Sequence, residues 1–169
     1  VLIVLGGLPG VGKTTVARSV AGALGAAHLR VDAFEVALLR QGLVPAPAEV
    51  GAHGYDLALA AADTCLTAGT GVLVDAVFDV AAARRPFRDL ATRHGVPVHW
   101  VRLICTDRAE HRRRVEERSA DLPGHVLPTW EQVQARRVDQ WHDRHTVVDT
   151  AGGDPVVATL AAVRDGRVS

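Results

Sequence analysis

Gly7-Leu8-Pro9-Gly10-Val11-Gly12-Lys13-Thr14 fits the phosphate-binding pattern G-x-x-x-x-G-K-S/T without a mismatch, and Thr15 follows directly. Lys13 is the only lysine of the chain; every other cationic side chain is an arginine. Glycines in such a turn let backbone N–H groups face inward around phosphate oxygens, and a helix starting there adds partial positive charge. The lysine then reaches the β- and γ-phosphates, while the threonine hydroxyl is a ligand for Mg²⁺. This chemistry needs a buried strand before the turn and a helix after it. Val1 to Leu5 is an apolar run, and Thr15-Val16-Ala17-Arg18-Ser19-Val20-Ala21 reads as the start of a helix. The motif therefore predicts binding of a nucleoside triphosphate.

The remaining residues supply the elements that position it. Ala27 to Val31 reads as a second strand ending at Asp32, followed by a helix over 33–41. Residues 42–54, with Pro45 and Pro47, read as a loop or irregular lobe, and 55–68 as a helix that stops at Gly69. A third buried strand, 71–75, ends at Asp75; a helix over 81–94 and a strand over 98–104 follow. Asp107 and Glu110 have capping-box spacing at the head of an arginine-rich helix reaching about Arg118. Residues 120–128 form a loop, and Thr129 with Gln132 caps a helix expected to run to about Trp141. A fifth strand over 145–149 and a last helix over 155–164 complete the chain. Short strands alternating with helices predict an α/β fold with a parallel sheet covered on both faces. Ligands in such folds bind at the carboxyl ends of the strands, where Asp32, Asp75 and Asp149 are expected.

At 169 residues the chain suits one domain with a proper core, so 1–169 is read as a single unit. Hydrophobic residues make up 48% but aromatics only 4%, which leaves Ala, Val and Leu to fill most of that core. A formal net charge of zero gives no general attraction to nucleic acid or anionic membrane, and neither is expected as a partner. Cys65 and Cys105 form no disulfide or metal framework, and His142 with His145 lacks a third ligand, so no zinc is expected. With no membrane-length apolar run and no cleavable signal, a cytoplasmic address is the default. Because the sequence begins on Val1 within the first strand, an initiator methionine and a few residues are expected to precede it.

A GTPase would need an N-K-x-D-type base-reading motif, which a chain with one lysine cannot supply. Asp149-Thr150-Ala151-Gly152 matches D-x-x-G but lies too late in the chain for that role. A ring-forming ATPase would need more residues for its lid domain. The phosphate loop, Val31-Asp32, Arg114-Val115-Glu116-Glu117-Arg118, Leu127-Pro128-Thr129-Trp130-Glu131 and Asp149-Thr150-Ala151 together resemble small P-loop kinases. That group includes chloramphenicol phosphotransferase-like, gluconate kinase-like and zeta toxin-like proteins, and bacterial members often called AAA-family ATPases or predicted kinases.

The resemblance implies a three-layer P-loop NTPase fold of nucleotide-kinase type, with a five-stranded parallel sheet, a substrate lobe over about 33–60 and a lid over about 107–128. It also implies ATP and Mg²⁺ as cofactors and a small-molecule hydroxyl as phosphate acceptor. In similar kinases an aspartate at the position of Asp32 faces the γ-phosphate from the acceptor side and acts as base; its alternative is a cap for helix 33–41. Glu35 is a capping partner or a contact for substrate hydroxyls. Asp75 resembles the aspartate that holds Mg²⁺ through water, with a role towards substrate as the alternative, and Asp79 is a second candidate. Arg114 and Arg118, four apart on one face, correspond to lid arginines that close over the phosphates; the alternative is a solvated helix paired with its glutamates. Thr150 falls where related kinases pack backbone against adenine. His53 and Tyr55, in the expected substrate lobe, are candidates for acceptor recognition, and Trp130 and Trp141 are expected to pack. Two other functions stay open: a polynucleotide 5′-hydroxyl kinase, and a nucleotide-binding regulatory module with little turnover.

Overall fold

In a computed structural model, which describes residues 1–166, the chain folds around a five-stranded, wholly parallel sheet. Its strands are β1 (Leu2–Gly6), β2 (Ala27–Arg30), β3 (Val72–Asp75), β4 (Val98–Ile104) and β5 (His145–Asp149), in the order β2-β3-β1-β4-β5. The helices are α1 (Lys13–Leu24), α2 (Val31–Arg40), α3 (His53–Thr67), α4 (Ala81–His94), α5 (Arg108–Glu117), α6 (Trp130–Ala135) and α7 (Pro155–Asp165), with a 3₁₀ turn over Pro47–Glu49.

β1, at the centre, is apolar on both faces and wholly buried, as a sheet covered on both sides requires. Successive side chains alternate between the two cores. Leu2, Val4, Val72, Val74 and Trp100 pack with α3 and α4, through Ala58, Ala62, Phe87 and Leu90. Ile3, Leu5, Leu73, Val101, Leu103 and Val148 pack against Val16, Ala17 and Val20 of α1 and Val163 of α7. Asp75 follows the parity of Leu73, which turns its carboxylate towards α1. β1 lies between β3 and β4, so the chain changes direction across the sheet at that strand, and the crevice forms beyond its carboxyl end.

Two expected boundaries move. β2 stops at Arg30, and Asp32 is the second residue of α2 rather than the residue that ends the strand. Arg30 holds the cap position without a side-chain cap bond, so Asp32 is no cap; its charge instead sits in the first turn, near the positive end of the helix dipole. α6 is closed at its start by a full capping box of Thr129 and Gln132 but ends at Ala135, not near Trp141. Beyond it the backbone bonds elsewhere. Asp139 N donates to the Asp79 carbonyl at 2.7 Å, and the buried Arg84 donates to the carbonyls of Phe78 and Gln140, both at 2.8 Å. These long-range partners replace the i→i−4 ladder. Of the Asp107–Glu110 pair only half forms: Asp107 accepts from Glu110 N at 3.0 Å, while the Glu110 carboxylate turns to arginines.

Candidate active site

The phosphate loop joins β1 to α1. Gly10 and Gly12 take φ of 84° and 92°, a region that side chains disfavour. Gly12 occupies the cap position of α1 with no side chain to cap it, which leaves the first N–H groups of the helix free to meet an anion. A cavity of about 560 Å³ opens over Gly10, Gly12, Lys13, Thr14 and Thr15, with Arg30, Asp32, Arg114 and Arg118 on its far walls. Gly7, Leu8 and Val11 instead border a small 110 Å³ pocket beside Trp141, on the other side of the loop.

Lys13 donates from Nζ to the Leu8 carbonyl at 3.1 Å. Burial pushes its ammonium below the ordinary lysine value, against the pull of Asp75 and Asp32. Thr14 Oγ1 donates to Asp75 Oδ2 at 2.8 Å, so the two residues singled out for the metal meet at the ends of α1 and β3. Burial opposes charge on Asp75, but the neighbouring His28, the Lys13 ammonium and the Thr14 hydroxyl together hold its carboxyl below the usual range. An oxygen-only pair of this kind suits a hard cation such as Mg²⁺; Thr14 borders the phosphate-loop cavity, while Asp75 is buried and lines neither large cavity. His28 had no signal in the sequence: it lies 47 residues before Asp75, and parallel pairing of β2 with β3 brings its Nε2 to 3.5 Å from Asp75 Oδ2.

A second cavity, of about 680 Å³, lies on the opposite side of Lys13 and Asp32, within the ordinary size of a small-molecule site. Pro9, Lys13, Asp32, Glu35, Tyr55, Asp79, Arg118 and Arg136 line it, with residues 125–128 also on its wall. Lys13, Asp32 and Arg118 line both cavities and mark where they meet. Glu35 is half-buried; burial and the Asp32 charge raise its carboxyl above the usual range. Tyr55 contributes its ring, since its hydroxyl accepts from Phe78 N at 3.2 Å. Phe78 is wholly buried at φ 52° and is wedged edge-on between Tyr55 and Phe87. His53 is exposed at the start of α3 and borders neither cavity. Arg136 Nη1 donates to Asp79 Oδ2 at 2.9 Å across the mouth.

The two lid arginines differ. Arg114 is tied down: it donates to Glu110 Oε1 at 2.7 Å, to Thr150 Oγ1 at 3.0 Å and to the Thr150 carbonyl at 3.2 Å. Thr150 is largely buried, its hydroxyl also donating to the Ile104 carbonyl, and it borders neither large cavity. Arg118, the residue that closes α5, makes no hydrogen bond or ion pair with the described residues and is free to meet an anion. Asp149 spends its carboxylate on Thr106 and on Ala151 N, bracketing the ends of β4 and β5.

Two contacts that the sequence did not signal hold the lid, one to the phosphate loop and one to the end of β2. His111 Nε2 bonds the Pro9 carbonyl at 2.8 Å while its ring stands edge-on to Trp130. Arg30 makes a two-point pair with Asp121, Nη1 to Oδ2 at 2.6 Å and Nη2 to Oδ1 at 3.3 Å. Such pairs join residues 91 and 102 positions apart, which only the fold brings together.

Residues 2–148 match the family described as AAA domain. The chain belongs to that family. No curated protein matches it in sequence. Among solved structures it is similar to a proposed kinase from Chloroflexus aurantiacus j-10-fl, at 23% identity and a TM-score of 0.79 over 98% of this chain and 97% of that one. A sugar kinase from Janibacter sp. HTCC2649 aligns at 19% identity and a TM-score of 0.68, over 96% and 94% of the two chains. The APS kinase of Mycobacterium tuberculosis, solved with AMPPNP and APS, aligns at 20% identity and a TM-score of 0.63, over 99% and 97%. At these identities the likeness is one of fold: this AAA-domain protein has the P-loop NTPase architecture shared by those kinases. No helix among the described residues is long and apolar enough to cross a membrane.

Proposed function

We propose that the protein is an ATP- and Mg²⁺-dependent kinase that moves the γ-phosphate to a hydroxyl of a small molecule. One observation carries this reading: two cavities, one over the phosphate loop and one of small-molecule size, meet at Lys13, Asp32 and Arg118. A nucleotidase or a simple nucleotide sensor needs only the first.

In this reading the loop amides, Lys13 and the start of α1 hold the β- and γ-phosphates. Thr14 and Asp75 hold Mg²⁺, which neutralises phosphate charge when bound. The acceptor hydroxyl enters from the 680 Å³ cavity and gives its proton to Asp32 as its oxygen bonds to the γ-phosphorus. The bond from that phosphorus to the β–γ bridging oxygen breaks, ADP leaves with the electron pair, and Asp32 later returns its proton to solvent. Arg118 faces the transferring group from the lid, where positive charge has most effect. Arg114 orients that wall through Thr150. The substrate lobe is then α2 with the start of α3, and the lid is α5 with the loop that follows.

Incubation with Mg²⁺, γ-labelled ATP and a metabolite extract tests the reading. A labelled small molecule, absent with Lys13→Ala, supports it. Nucleotide binding without any labelled product would replace it with a regulatory module, and labelled oligonucleotide ends would replace it with a polynucleotide kinase.

A further inference from the structure

The walls of the 680 Å³ cavity differ sharply in character, and the contrast bears on what can enter. One side is apolar, formed by Leu59, Ala76, Val80, Ala83, Phe87 and Leu127. The ionisable groups on the rest are unequally matched. Lys13 and Arg118 also face the phosphate-loop cavity, where a triphosphate takes up their charge. Arg136 is paired with Asp79. That leaves Asp32, Glu35 and the rim residue Asp56 without a hydrogen-bonded or ion-paired partner among the described residues.

Glu35 is held in place rather than loose. A Cβ added to Gly54 would come within 2.4 Å of Glu35 Cγ, so the α3 backbone packs directly against the glutamate. Burial and the Asp32 charge both work against its ionised form, and Arg136 offsets them only in part. A cation brought in by the ligand would favour the ionised form, whereas an anion would meet three unpaired carboxylates, with Arg136 paired to Asp79 and Arg118 shared with the phosphate-loop cavity. His125, which lines this cavity and shares a smaller pocket with Glu35, adds a buried Nδ1 that has no hydrogen-bond partner among the described residues.

Resting on the kinase reading above, we propose that the acceptor is an amino alcohol with an apolar body. Its hydroxyl lies at Asp32, its ammonium against Glu35 and its carbon skeleton on the wall of Leu59, Val80 and Phe87. Alcohols bearing a carboxylate or sulfate are excluded by charge.

Wild type and Glu35→Gln are compared with Mg²⁺-ATP and three matched series of aryl-alkyl alcohols carrying an amine, an acetamide or a carboxylate. The amine series should be phosphorylated with a kcat/KM about tenfold or more above the other two. Glu35→Gln should erase that preference by raising KM for the amines, with kcat little changed. Equal or better use of the acetamide or carboxylate series overturns the inference and leaves the kinase reading standing, as does a preference that survives Glu35→Gln. If none of the series is used, the charge of the product labelled from a metabolite extract decides: an amine supports the inference, and its lack overturns it. No labelled product from either source overturns the inference and the kinase reading together.

Discussion

Asp32 and His111 show how differently single residues can serve one site. Asp32 lines both cavities and has no side-chain partner among the described residues, so replacing it by Asn should remove the proton acceptor while sparing the phosphate loop. Transfer should fall by about 10²–10⁴-fold with nucleotide affinity largely kept, read by single-turnover transfer beside equilibrium nucleotide binding. An equal loss of both would move Asp32 to a structural or metal role. His111 touches no cavity atom of the 560 Å³ site but holds the Pro9 carbonyl from behind the loop. His111→Ala strands a buried acceptor, at a cost of about 1–3 kcal/mol, and loosens the loop. Weaker nucleotide binding together with a lower denaturant midpoint is the expected pair of effects. The first residue belongs to a pattern readable along the chain; the second does not, because its partner is 102 positions away.

At the scale of elements, α5 depends on its own charges. Glu110 binds Arg113 and Arg114 together, and their hydrogen bonds draw its carboxyl down to about 2 from the ordinary 4.5. A depressed folded-state value means that the contribution is complete above pH 4.5 and fades as pH falls towards 2. Arg114 then loses one of the holds that keep it beside Thr150. Trp130 of α6 reports on this, since it packs against His111 and lies 5.9 Å from the Arg108 guanidinium. Its fluorescence should change between pH 4.5 and 2, with Glu110→Gln altered already at neutral pH. A transition identical in Glu110→Gln would show that another carboxylate governs the lid. The sequence made both helices legible through their caps, but not the end of α6, which is set by bonds to Asp79 and Arg84 rather than by local pattern.

For the molecule as a whole, the segment after α6 is the piece that joins sheet, lid and cavity wall. Arg84, 2% exposed, holds it: the guanidinium serves the carbonyls of Phe78 and Gln140 and lies 4.9 Å from the Trp141 ring. Arg84→Met keeps much of the volume but leaves those carbonyls unpaired, and should lower stability by about 3 kcal/mol, measured by urea unfolding. Trp141 in turn packs onto Gly6 so closely that an added Cβ would lie 2.7 Å from its ring. Gly6→Ala should therefore displace the tryptophan and disturb the strand that leads into the phosphate loop. A shift in near-UV circular dichroism with weakened nucleotide binding would register both, and unchanged values for either variant would remove this segment from the account.

The phosphate loop, its flanking strand and helix, the alternation of strands with helices and the parallel sheet were all written in contiguous sequence. They rest on local forces: glycine's backbone freedom, apolar runs and helix caps act between near neighbours in the chain. Only tertiary structure decided which strand lies beside which, and so that His28 would face Asp75, that Arg118 has no partner among the described residues while Arg114 is bound to Thr150, and that His53 stands outside the cavity. Those outcomes depend on sheet order and on contacts between residues tens of positions apart, and nothing in the local pattern carries that information.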